Sequence, residues 1–216
     1  MKADLSEIAI ILDESGSMQE ITNDTIGGYN SFIETQKEIP GEAKLTLVKF
    51  NTDYNVIHNG LDIKTVPLLS NKTYYPSGST ALLDAVGRTI DEIGKRLSNT
   101  PEDEKPGKVI LLIITDGEEN SSKEYSLEVV KEKIKHQQEK YNWEIIYLGA
   151  DQDSWENASS MNIHASANWD KSNMRGVFAS ASLYSANSRT YSKNTSIDNF
   201  SLTDEEVKKE LEKYKI

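Results

Sequence analysis

Ile8-Ala9-Ile10-Ile11-Leu12-Asp13-Glu14-Ser15-Gly16-Ser17-Met18 is the stretch on which the fold reading turns. The apolar run from Ile8 to Leu12 has no polar break and stops at a carboxylate. A strand without alternation is one buried on both faces, the condition of a central strand in a parallel sheet. Asp13, Ser15 and Ser17 fall where that strand ends, and Gly16 permits a sharp turn. Open α/β sheets bind their ligands at the carboxyl ends of the strands. A loop offering carboxylate and hydroxyl oxygens at that place suits a hard cation such as Mg²⁺.

A second such place lies downstream. Val109–Ile114 is the strongest strand signal in the chain, and it runs into Thr115-Asp116-Gly117. Between the two strands, Pro76-Ser77-Gly78-Ser79-Thr80-Ala81-Leu82-Leu83-Asp84 is a small-residue loop opening a helix. The face of that helix is Leu83, Val86, Ile90, Ile93 and Leu97. Strands alternating with helices imply a mostly parallel sheet with right-handed crossovers. The strands ending at Asp13 and Asp116 are then expected as central neighbours, with the Thr80 loop reaching the same end. One crevice would collect Asp13, Ser15, Ser17, Thr80 and Asp116.

The remaining segments fit the same α/β alternation. Ile26, Tyr29, Phe32, Ile33 and Gln36 predict a first helix ending near Pro40-Gly41, with Gly27-Gly28 packed closely on the sheet. Residues 44–50 read as a strand. Residues 54–58 read as a short antiparallel return, bounded by turns at Asn51-Thr52-Asp53 and Asn59-Gly60. Leu127, Val130, Ile134 and Tyr141 mark a helix, and 143–148 the strand after it. A short helix over 155–161, a short edge strand over 163–165 and a docked helix over 172–186 follow. The expected organisation is one domain over 1–186, a polar linker over 187–200 and a C-terminal helix over 201–216 docked on the domain. Thr203 with Glu206 gives that last helix a capping box, and Leu202 with Val207 a hydrophobic staple.

Charge narrows the function classes. The 216 residues carry 35 acids against 24 bases, a formal net charge of −11. That balance argues against nucleic acid and anionic membrane as partners. There is no cysteine, and the three histidines, His58, His136 and His164, have no zinc spacing. Charges at Lys2 and Asp4 stand where a signal peptide would carry its apolar core, so a cytoplasmic location is the expectation.

Taken together, Asp13-Glu14-Ser15-Gly16-Ser17, Gly78-Ser79-Thr80-Ala81-Leu82 and Thr115-Asp116-Gly117 resemble the metal-ion-dependent adhesion site of von Willebrand factor A domains. The resemblance extends in element order over about residues 5–186. It implies a Rossmann-like α/β fold: a central, mostly parallel sheet, one short antiparallel edge strand, and helices on both faces. It also implies direct metal contact by Ser15, Ser17 and Thr80, with Asp13 and Asp116 acting through bound water. The implied cofactor is Mg²⁺, or Mn²⁺ or Ca²⁺. The implied partner is a protein presenting an Asp or Glu, with neither turnover nor a small-molecule substrate. Gly149-Ala150-Asp151-Gln152-Asp153 and the Ala/Ser-rich helix that follows resemble bacterial and phage-type intracellular members.

Integrin-type members carry further acids where Met18-Gln19 stand here, so one metal is expected. Glu14, Glu118 and Glu119 are expected to charge the rim of the site, Thr73–Pro76 to form rim or half-buried packing, and Asp151 and Asp153 to be solvated loop acids. Two other readings remain. A Mg²⁺-dependent phosphotransfer enzyme would use Asp13 as nucleophile with a second carboxylate or a lysine beside it, but position 15 is Ser and no lysine follows a strand at the expected end. A scaffold would carry the same residues as a vestigial site.

Overall fold

The computed structural model describes residues 1–149, 158–163, 165–168 and 173–190. Six strands form one sheet in the order β3-β2-β1-β4-β5-β6. They are β1 (Lys2–Asp13), β2 (Glu42–Phe50), β3 (Tyr54–Asp62), β4 (Pro106–Thr115), β5 (Glu144–Gly149) and β6 (Ala165–Asn168). Only the β2–β3 pair is antiparallel; the other four are parallel. The helices are α1 (Thr22–Glu38), α2 (Leu82–Ser98), α3 (Leu127–Tyr141) and α4 (Met174–Thr190).

The apolar runs sit at the centre as their lack of alternation requires. β1 pairs with β2 on one side and β4 on the other, with Ile8 opposite Ile110 and Leu12 opposite Ile114. Alternate residues then serve two cores. Ile8, Ile10 and Leu12 of β1 join Ile110, Leu112 and Ile114 of β4 against α1 and α4. Ala9 and Ile11 join Leu111 and Ile113 against α2 and α3. With Leu12 opposite Ile114, Asp13 ends β1 beside Thr115, and Asp116 follows directly at the same carboxyl edge.

The elements depart from the sequence expectations in several places, and the edge strand expected over 163–165 is β6 at Ala165–Asn168. The close approach at Gly28 is to another helix, not to the sheet: a Cβ there would stand 2.5 Å from Phe178 of α4. The antiparallel edge is not short. β3 runs through Asn59-Gly60 to Asp62 because the pairing with β2 skips register near Leu47, and the bulge absorbs the two turn-forming residues. Gly60 takes φ +67°, and a Cβ there would meet the Arg96 guanidinium at 2.9 Å. That guanidinium pairs with Glu7, a carboxylate fully buried in β1 that also accepts from Thr46 Oγ1 at 2.7 Å.

Tyr141 does not share the buried face of Val130 and Ile134 but is 54% exposed, since α3 ends there on the left-handed Asn142. Finally, α4 runs to Thr190, where Arg189 donates to the carbonyls of Gln36 in the last turn of α1 and of Ile39 just past it. Residues 158–160 are helical, within the expected 155–161 helix. Asp151, Asp153, His164 and the segment 191–216, with its capping box, lie outside the described residues. Among the described residues no helix is long and apolar enough to cross a membrane.

Candidate metal centre

Three chain segments converge at the carboxyl edge of β1 and β4. Beyond Asp13 the chain turns at once into a 3₁₀ helix, Gly16–Ile21, so Ser15 and Ser17 project over the strand end. Ser15 N–H donates to Asp13 Oδ1 at 2.6 Å, folding the loop onto the carboxylate that precedes it. The other Asp13 oxygen, Oδ2, accepts from Thr115 Oγ1 at 2.5 Å and ties β1 to β4. Ser17 Oγ donates to Asp116 Oδ1 at 2.6 Å, and Ser15 Oγ lies 3.0 Å from Ser17 Oγ. Asp13, Ser15, Thr80 and Asp116 are buried and Ser17 is exposed, so the crevice opens to solvent at Ser17.

Thr80 joins the set from the other side. The space beside Gly117 locates it: a Cβ at that position would stand 3.0 Å from Thr80 Oγ1, 3.3 Å from Ser17 Oγ and 3.7 Å from Asp13 Oδ2. All five residues singled out from the sequence are therefore brought together.

Other residues hold these loops, and pattern reading gave them no such role. Gly16 N–H donates to Gly78 O at 3.1 Å and Ser77 N–H to Glu14 O at 2.8 Å, joining the first loop to the Thr80 loop. Tyr74 is buried with its hydroxyl on Asp13 O at 2.6 Å, whereas its neighbour Tyr75 is 58% exposed on the rim. Asn120 exchanges two bonds with Thr80, its Oδ1 accepting from Thr80 N–H at 2.9 Å.

Glu14 does not charge the rim as expected. It is buried, and its Oε1 accepts from Lys49 Nζ at 2.7 Å and from Tyr75 N–H at 2.6 Å. Glu119 is also withdrawn, accepting from the backbone of Leu83, Ser121 and Ser122. Glu118 alone of the three is exposed. A lysine inside β2 does reach this sheet end, but the Lys49 ammonium is held by Glu14 and by Thr73 O at 2.7 Å. Sequence carried no signal for that pair, because 35 residues separate its members.

Electrostatics single out Asp13. Burial pushes its carboxyl up to about 6, against the hydrogen bonds from Thr115 and Ser15, and the neighbouring Asp116 adds to the rise. A protein that keeps a carboxylate in such a place carries an uncompensated charge. The donor set is oxygen throughout, which is the preference of Mg²⁺ and Ca²⁺. Octahedral coordination with bonds of about 2.1 Å sets neighbouring oxygens about 3.0 Å apart. Ser15 Oγ and Ser17 Oγ already stand at that separation. Among the described residues no group of three or more His, Cys, Asp or Glu is placed to hold a metal. A site here would thus be a hydroxyl site with two carboxylates.

The fold is that of a von Willebrand factor type A domain. No family model matches the chain, and no curated protein does. Solved structures do match. A von Willebrand factor type A protein from Catenulispora acidiphila superposes with a TM-score of 0.53 at 15% identity, covering 83% of this chain and 42% of that one. Proximal thread matrix protein 1 from the mussel byssus, with a zinc-occupied MIDAS motif, gives 0.53 at 17% identity over 85% of this chain and 46% of its own. The manganese-loaded TRAP protein of Plasmodium vivax gives 0.51 at 14% identity over 82% and 73%. This chain thus spans less than half of the Catenulispora and mussel proteins.

Proposed function

We propose that this chain is a metal-dependent protein-binding module whose site is Asp13, Ser15, Ser17, Thr80 and Asp116. The observation that carries the reading is their convergence from three segments, with hydroxyls foremost and a buried carboxylate behind. Ser15, Ser17 and Thr80 would hold Mg²⁺ through their hydroxyls. Asp13 and Asp116 would orient those hydroxyls and supply the balancing negative charge. Neutral inner oxygens leave a bound Mg²⁺ with positive charge to offer an Asp or Glu of the partner protein. The zinc- and manganese-loaded neighbours support a divalent ion in general, and Mg²⁺ is our choice for an all-oxygen site.

The reading is non-enzymatic. Lys49 is committed to Glu14 and to Thr73 O, so the lysine that a phosphotransfer site would use is not offered to a phosphoryl group. Titration calorimetry with MgCl₂ and MnCl₂ tests the metal, and affinity capture with and without EDTA tests the partner. Expected are one divalent site lost in Thr80→Ala, and bound proteins released by EDTA. Metal binding unchanged in Thr80→Ala would overturn the site. The same captured proteins in EDTA as in Mg²⁺ would favour the scaffold reading.

A further inference from the structure

At the opposite edge of the sheet, a cavity of about 490 Å³ lies between the C-terminal halves of α2 and α3 and the start of β4. The six residue steps of β4 from Val109 to Thr115 separate it from the Asp13 crevice by about 20 Å, at about 3.3 Å per residue. Its floor is apolar, with Ile90, Val109 and Trp143 all buried. Its charge runs against that of the chain. The lining carries three lysines and a histidine against one acid, in a protein with 35 acids and 24 bases. That acid, Asp91, is already taken by Lys133 Nζ and Tyr125 Oη. Lys105 and Lys108 share their charge with Glu102 and Glu144. Lys95 makes no ion pair among the described residues.

A glycine in the wall points the same way. α2 contains Gly87 and Gly94, both costly to a helix interior. Gly87 is required, since a Cβ there would run into the Tyr125 ring. Gly94 is not: a Cβ there would have Gln137 Nε2 as its nearest neighbour at 3.8 Å, an ordinary contact. Packing does not demand a glycine at this point of the cavity wall, and its effect is to leave the cavity wider.

We propose that this cavity binds a small organic carboxylate with an apolar body. The body lies on Ile90, Val109 and Trp143, and the carboxylate is met at the rim by Lys95. The size is that of a pocket for a drug-sized molecule, and the pairing of an apolar floor with one placed charge is how such pockets orient a ligand.

Calorimetric titration of the full chain with 2-naphthoate, and with its uncharged isostere 2-naphthamide, tests the proposal. Expected is one saturable naphthoate site, with the amide weaker by about fivefold or more. Lys95→Glu is expected to abolish that preference. Gly94→Leu, which fills the wall with a helix-favouring residue, is expected to weaken both ligands. Thr80→Ala, at the other edge of the sheet, is expected to leave naphthoate binding unchanged. No saturable binding of naphthoate, equal binding of acid and amide, or naphthoate binding unaltered by Lys95→Glu would overturn the proposal. Lys95 is an exposed side chain, so its variant folds whatever becomes of Gly94→Leu.

Discussion

Replacing Asp13 by Asn separates the cost of the buried charge from its use. The residue is fully buried, and burial, ahead of every other influence, pushes its carboxyl from 3.8 up to about 6. At about 1.4 kcal/mol per pH unit, holding it ionised at pH 7.5 in metal-free protein costs about 3 kcal/mol. The folded state binds this proton more tightly than the unfolded chain does. The metal-free protein therefore loses stability as pH rises from about 4 to about 6, and nothing further is lost from this group above that. Asn keeps the shape. Its Oδ1 retains the bond from Ser15 N–H, and its amide can donate to Thr115 Oγ1, whose own hydrogen has Gly117 O as an acceptor 3.2 Å away. In EDTA at pH 7.5, Asp13→Asn is therefore expected to be the more stable protein, by up to about 3 kcal/mol, with the difference closing by about pH 4. Saturating Mg²⁺ is expected to reverse the order by stabilising only the wild type. Urea unfolding followed by tryptophan fluorescence measures all of this. An Asn variant less stable than wild type in EDTA at both pH values would refute the reasoning, because it would show that the fold itself compensates the charge.

Three further outcomes are expected. Gly117→Ala places a methyl 3.0 Å from Thr80 Oγ1 and 3.3 Å from Ser17 Oγ, and calorimetry should show Mn²⁺ affinity reduced by about tenfold or more with the fold intact. Arg96→Leu removes the guanidinium from the fully buried Glu7 and should cost about 3–5 kcal/mol in urea unfolding, part of it recovered by adding Glu7→Gln. For Asp84, burial raises the carboxyl, but bonds from the backbone N–H groups of Lys123, Tyr125 and Glu124 together outweigh it and hold the group below the usual carboxylate range. The stability it contributes is present above the unfolded value of about 3.9 and lost as pH falls through the lower folded one, so the thermal-midpoint gap to Asp84→Asn should be wide at pH 6 and narrower at pH 3.

The central strands and the convergence of the five candidate residues were legible because each has a local signature. An apolar run that stops at Asp13, another that stops at Asp116, and a small-residue loop before a helix all occupy contiguous sequence. What supports the site was not legible, because it is written in pairs distant along the chain. Tyr74 and Tyr75 are adjacent and chemically the same, yet one is buried on Asp13 O and the other faces solvent. No local pattern distinguishes them. Gly28 announced a close approach but not its partner, since Phe178 lies 150 residues on. Asn59-Gly60 spells a turn, and only the pairing of β3 with β2 makes it a bulge. Glu14 read as a surface acid because its compensating lysine is in another strand.

That last pair bears on how the crevice can be stable and still attract a metal. Four carboxylates crowd this end of the sheet: Asp13, Glu14, Asp116 and Glu119. Glu14 is neutralised by Lys49, and Glu119 is held by backbone donors and Ser122. Each thereby fastens a loop that the site depends on. Glu14 grips the loop at Tyr75, while Glu119 accepts from Leu83 N–H at the start of α2. Two acids thus build the walls, and two are left for the site. Asp13 and Asp116 are two carboxylates, the number whose charge would balance one divalent ion. They keep it one atom back, behind Ser15 and Ser17. An inner set of carboxylates would satisfy the ion fully and leave it nothing to offer. On the proposed reading, hydroxyls in front would leave the ion able to accept one more anion, and that anion would be a partner's.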